Sequence, residues 1–149
     1  MTLKTYDLTA AVSIIKKFEG CRLTAYPDPA SGGDPWTIGY GATGPNIKPG
    51  VTWTQDEAEQ DLAVRIARIA YQIVQDLTVS LTDNQFCACV SLAYNIGHAN
   101  FASSTLLKLL NRSQFEAASK EFLRWDRAQG RVISGLTQRR QAESELFKS

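Results

Sequence analysis

Carboxylates are the side chains of this sequence with the most chemistry to offer. One histidine, His98, and the absence of a Gly-rich phosphate loop leave little material for nucleophile–base pairs or phosphate handling. Glu19 precedes Gly20 at the predicted end of a helix, where the macrodipole's negative end disfavours a further negative charge and so suits a proton donor. Asp28 lies between Pro27 and Pro29, whose rings stiffen the backbone around it, as a fixed catalytic base requires. Thr37 belongs to Trp36-Thr37-Ile38-Gly39-Tyr40-Gly41, where glycines among strand formers let a ligand or a neighbouring group approach and a threonine hydroxyl can hold water. Each also has a plain structural reading: an exposed glutamate before a helix stop, an ordinary Pro-Asp-Pro turn, a simple strand.

The elements that must position these groups follow from periodicity. A helix is predicted from Thr9, its expected N-cap, to the stop at Gly20, with Val12, Ile15 and Phe18 on one face. From Cys21 to Gly50 the texture is rich in Gly, Pro, Ser and Asp, with strands predicted at Arg22–Tyr26 and Trp36–Tyr40. Thereafter the pattern is helical almost to the end. Capping-box spacings mark three starts: Thr54 with Glu57, Thr82 with Gln85, and Ser113 with Glu116. Leu62, Ile66, Ile69 and Ile73 form one buried stripe on a long helix suited to joining two lobes. Further helices are expected through Phe86, Val90 and Ala93 to Gly97, over Leu106–Leu110, through Phe122 and Trp125, and through Phe147, with His98 in a loop. The class is α+β with helices dominant.

Bulk properties narrow the field. The length of 149 residues and 44% hydrophobic content suit one domain. The net charge of +1 is divided into −3 over residues 1–107 and +4 over 108–149. That split gives no nucleic-acid footprint, though the basic third could face an anionic polymer as well as water. Cys21, Cys87 and Cys89 are odd in number and fit no zinc spacing, so buried reduced thiols are expected, Cys87 and Cys89 on different sides of a helix; no metal or cofactor is implied. Asp7, Lys16 and Lys17 interrupt the N-terminal apolar residues, which argues against a signal peptide and against membrane insertion.

Glu19-Gly20, Tyr26-Pro27-Asp28 and Trp36-Thr37-Ile38-Gly39-Tyr40-Gly41 together resemble the Glu…Asp…Thr region of the phage lysozymes, glycoside hydrolase family 24. The resemblance continues through Gln85-Phe86, Leu92–Gly97, Phe101, Ser104–Leu107, Phe122–Trp125, Gly135-Leu136, Arg139-Arg140 and Glu143, nearly the whole chain. It implies a single lysozyme-like domain over 1–149, with a β-rich lobe about 21–50 and a helical lobe made by the N-terminal helix and about 54–149. The cleft would lie between them.

By the same resemblance Glu19 is the acid, Asp28 the second carboxylate, Thr37 the catalytic threonine, and Arg139 the arginine that steadies the acid. An i,i+4 pair of Arg139 with Glu143 is the local alternative. Thr43, Tyr94, Asn95 and Ser104 are the expected sugar contacts, although Tyr94 and Trp125 also lie in apolar helical stripes. The implied reaction is endolysin hydrolysis of the β-1,4 bond between N-acetylmuramic acid and N-acetylglucosamine of bacterial peptidoglycan, with inversion. A monomer is expected, held in the host cytoplasm and reaching the wall through a holin-type lesion.

Two departures from the family pattern stand out. The Asp28–Thr37 loop is longer than in compact members, so Asp34 competes with Asp28, and Ala42 stands where some relatives carry histidine. A lytic transglycosylase and a non-catalytic peptidoglycan-binding or phage structural module are the rival readings; Asp28 with Thr37 argues against the first, and the retention of Glu19, Asp28 and Thr37 against the second.

Overall fold

The computed structural model describes residues 5–149. Helix α1 (Thr9–Glu19) leads into an antiparallel pair, β1 (Arg22–Tyr26) and β2 (Thr37–Gly39), in which Arg22 lies opposite Gly39 and Tyr26 opposite Thr37. Then come α2 (Gln55–Asp76), α3 (Asp83–Ile96), α4 (His98–Ala102), α5 (Thr105–Asn111), α6 (Phe115–Glu121) and a 3-10 turn (Phe122–Arg124). A small hairpin, β3 (Arg127–Ala128) with β4 (Arg131–Val132), precedes the last helix, α7 (Ser134–Lys148).

Two of the three expected capping boxes form. Thr54 and Thr82 each accept from the backbone N–H three residues on, while Glu57 and Gln85 reach back to the cap N–H, so α2 and α3 begin where expected. Ser113 does not start a helix. Its φ of 56° is left-handed, and the N–H groups of Ser113 and Gln114 bond to Leu110 O and Leu109 O, a Schellman ending of α5. The cap of α1 also moves: Asp7 Oδ1 accepts from both the backbone N–H and the hydroxyl of Thr9, so the capping side chain is Asp7, not Thr9.

Helix α3 is the centre of the helical part. Eight consecutive residues, Phe86–Ala93, are buried because α1, α2, α4 and α7 all pack on it. Encirclement therefore hides both Cys87 and Cys89, whichever sides they occupy, whereas Cys21, expected to be buried, is exposed. Leu62, Ile66 and Ile73 of α2 are buried and Ile69 packs at the core's edge. Each fully buried aliphatic side chain stabilises the fold by about 1.5–3 kcal/mol. A second, smaller cluster of Ala25, Ile38 and Ala42 underlies β1 and β2, and Trp53 packs against both clusters.

Two further expectations change. The helix foreseen through Phe122 and Trp125 ends in the 3-10 turn, and the chain then enters the hairpin, whose turn residues Gln129 and Gly130 both have positive φ (52° and 78°). His98 is the first residue of α4 rather than a loop residue, and its Nε2 lies 2.6 Å from Asp76 Oδ2 at the end of α2.

Candidate active site

Glu19 is placed by the end of α1. Gly20, at φ 66°, breaks the helix, and the chain turns at once into β1. Its carboxylate then meets two other parts of the chain. Arg139 Nη1 of α7 donates to Oε1 at 2.7 Å, and a Cβ built on Gly41 would lie 3.0 Å from Oε2. The close approach that glycine at 41 allows is thus taken up by Glu19.

Arg139 is 3% exposed, and each part of its guanidinium has a partner. Beyond Glu19, Nε donates to Glu143 Oε2 at 3.2 Å and Nη2 to Ser91 O at 3.0 Å. The two pairings left open by the sequence, with Glu143 and with Glu19, are made together. Arg140 and Glu143 are both fully buried. Arg140 Nη2 donates to Glu143 Oε2 at 3.0 Å; its Nε lies 2.6 Å from Oε1, close enough for ion pairing but not aligned as a hydrogen bond. Ser91 Oγ donates to Glu143 Oε2 at 2.5 Å. Burial pushes the Glu143 carboxyl up, against the downward pull of Arg140, the Ser91 hydrogen bond and Arg139.

The pair with Arg139 reverses one expectation about stability. Opposition to the helix dipole alone predicts that Glu19→Gln leaves stability unchanged or improved. Glu19, its side chain 20% exposed, is the partner of a buried cation, so Glu19→Gln is expected to destabilise the fold.

Asp28 and Thr37 are held by the β segment. Tyr26, two residues before Asp28, is the strand partner of Thr37, which sets the Asp28 loop beside β2. The loop is closed on itself: Asp28 N–H donates to Gly33 O, Gly32 N–H to Asp28 O, and Ser31 N–H to Asp28 Oδ2 at 3.2 Å. Both Asp28 and Thr37 are half-buried, whereas Asp34 is exposed and gives its carbonyl to the Ser31 hydroxyl.

The expected sugar contacts divide. Thr43 is exposed at the edge of the β segment, next to the Ile38–Ala42 bridge. Asn95 is exposed, with Oδ1 accepting from Arg140 Nη1. The Tyr94 hydroxyl is engaged with Tyr40 O at 2.6 Å, and Arg65 stacks 4.9 Å from its ring centroid, which makes it a brace instead of a platform. Ser104 is 4% exposed and caps α5, accepting from Leu107 N–H and donating to Phe101 O, so it leaves the set of sugar contacts. Ser91 and Arg140 were missed as parts of the site; a small polar residue inside a buried helix carries no sequence signal. Among the described residues no three His, Cys, Asp or Glu side chains cluster as a metal site would.

Known proteins resemble this chain over most of its length. An endolysin of Acyrthosiphon pisum secondary endosymbiont phage 1 is 43% identical over 140 residues, covering 91% of this chain and 93% of its own. The endolysin of Bacillus phage PZA is 40% identical over 94% of this chain, which spans about half (54%) of that relative's length. The muramidase domain of SpmX from Asticaccaulis excentricus superposes with a TM-score of 0.86 at 31% identity, covering 97% of this chain and 99% of that one. Residues 16–143, which run from α1 to Glu143 of α7, match the phage lysozyme family, so the chain belongs to that family and is a lytic enzyme of the glycosidase type.

Proposed function

We propose that the chain is an endolysin that hydrolyses the β-1,4 bond between N-acetylmuramic acid and N-acetylglucosamine of bacterial peptidoglycan with inversion. The observation that carries this reading is the carboxylate of Glu19, held at 2.7 Å by a buried arginine and left partly open beside Gly41. Glycosidic cleavage needs an acid that protonates the leaving oxygen and a second group that directs water or stabilises an oxocarbenium-like state. Glu19 takes the first role. Asp28, in the loop after β1, and Thr37, on β2, take the second by holding the attacking water on the opposite face of the sugar. Thr43 and Asn95, both exposed, line the path of the glycan.

The enzyme acts as a single lysozyme-like domain and a monomer, with the β segment and the helical part forming the walls of the cleft. Among the described residues no helix is long and apolar enough to cross a membrane.

Proton NMR of the anomeric signal during early turnover of purified peptidoglycan is the decisive test. The α anomer as first product is expected; the β anomer removes Asp28 and Thr37 from water binding, and anhydro-muramic ends identify a transglycosylase. Thr37→Glu should place a carboxylate where the water stands and either trap a covalent glycosyl-enzyme, visible by intact mass, or switch the outcome to retention.

A further inference from the structure

Behind Glu19 lies a chain of four charges that no step of hydrolysis uses directly. Glu19 meets Arg139, Arg139 meets Glu143, and Glu143 meets Arg140. Arg140 continues to Asn95 Oδ1 at 2.9 Å and to Trp125 O at 3.3 Å, at the base of the β3–β4 hairpin. Three of the four groups are almost wholly closed to water; Glu19 alone opens outward. Little water separates the inner groups, so a change of charge inside the cluster is felt at Glu19 through Arg139.

We propose that Glu143 is a positioning residue for the acid: as the buried counter-charge of Arg139 and Arg140, it keeps the Arg139 guanidinium shared between two carboxylates instead of surrendered to Glu19. The proposal rests on the assignment of Glu19 as the proton donor. A guanidinium given wholly to Glu19 would hold that group as an ion, unable to donate. Glu143 takes the Nε edge of Arg139 and both near nitrogens of Arg140, while Ser91 fixes Oε2. One negative charge set against two positive ones leaves a net single positive charge behind the acid.

Other charged or titratable groups lie on the elements around Glu19. Tyr94 of α3 feels Glu19, and its hydroxyl is bonded to Tyr40 O; burial pushes it up to about 12, so it stays neutral over the working range. Arg65 and Asp61 of α2, which also act on Tyr94, pair with each other at 3.7 Å. On α1, Lys16 is tied to Glu59 at 2.6 Å and Lys17 lies over the Phe18 ring. Arg22 of β1 stacks on Tyr26, and the segment after β2 presents the Gly41 backbone.

The test is the basic limb of the pH–activity profile, measured on purified peptidoglycan, together with sedimentation binding to the same material. That limb falls as the acid loses its proton. Glu143→Gln raises the charge behind Glu19 from one positive to two: the limb should move to lower pH by about one unit, with at least a tenfold loss of kcat and binding within twofold of the parent. Arg140→Gln lowers that charge to zero, and the limb should move to higher pH. The double variant restores a single positive charge and should return the limb towards its original place.

A residue that merely supported the fold would not produce opposite shifts that cancel. Glu143→Gln leaves two buried cations against one partner and is the variant most at risk of not folding. Should it not fold, the upward shift of Arg140→Gln and its reversal in the double variant, which removes both partners, decide the matter. Limbs that coincide in all folded variants, or single variants that move the same way, overturn the proposal. Glu19→Gln is assayed alongside. If it still lyses cell walls, the acid assignment itself has failed; if it is inactive while the limbs stay fixed, only the role of Glu143 has failed.

Discussion

The hydroxyl of Tyr94 donates to the carbonyl oxygen of Tyr40 at 2.6 Å, joining α3 directly to the backbone of the turn that carries Gly41. Gly41 in turn abuts the Glu19 carboxylate. A side chain of the helical part thereby ties the β segment to the surroundings of Glu19. Tyr94→Phe removes one neutral hydrogen bond and keeps the ring, so urea unfolding should show a loss of about 1 kcal/mol. Lysis of permeabilised bacteria should slow several-fold as the turn loosens. Unchanged stability and rate would mean that the contact holds nothing in place.

Gly41→Ala is a sharper test of the same turn. Its φ of 97° disfavours any side chain, and the new Cβ would lie 3.0 Å from Glu19 Oε2. The backbone strain should lower stability by about 1–2 kcal/mol. Displacement of the carboxylate should lower turbidity clearance at least tenfold, in folded protein confirmed by circular dichroism. Alanine at 20, also at positive φ but with nothing within 4 Å of its Cβ, is the control for strain without displacement.

The thiols should report burial rather than chemistry. Cys21 is exposed, while Cys87 and Cys89 are buried, and burial pushes both buried thiols up. A colorimetric thiol reagent at pH 8 should therefore titrate one group per native chain and three after unfolding. The raised groups keep their protons in the native state, so their contribution is complete below the unfolded thiol range, near pH 8.5, and is lost as pH rises above it. Replacing Cys21 by Ser should leave activity and stability unchanged; fast reaction of all three native thiols would contradict the packing of α3.

Asp7 gives the opposite sign at acid pH. Hydrogen bonds from the hydroxyl and then the N–H of Thr9 hold its carboxyl below the usual range. Its contribution is present above the unfolded carboxylate range, near pH 4, and is lost as pH falls through the lower native value. Asp7→Ala should lower Tm at pH 7, and the gap to the parent should narrow as pH falls through that window. A gap independent of pH would show that the cap does not act through its charge.

Much of this molecule is written locally. Thr54 with Glu57, Thr82 with Gln85 and the stop at Gly20 fix their elements because caps and glycine conformations depend on a few neighbouring residues. The spacing of Glu19, Asp28 and Thr37, the groups proposed to carry the reaction, is likewise legible in the sequence.

Other features were decided only by contacts distant in the chain. Arg139 reaches Glu19 across 120 positions, and only the packing of α7 on α3 brings it there. Ser113 matches a helix start in sequence but closes α5, because its left-handed backbone satisfies carbonyls at the end of the preceding helix. Ser104 and Tyr94 have the polarity of ligand contacts, yet their hydroxyls are claimed by backbone groups that folding brings within reach. Sequence patterning determines which residues prefer helix, strand or burial; which polar groups remain free for substrate is determined by hydrogen-bond satisfaction in the assembled interior, a property of tertiary structure alone.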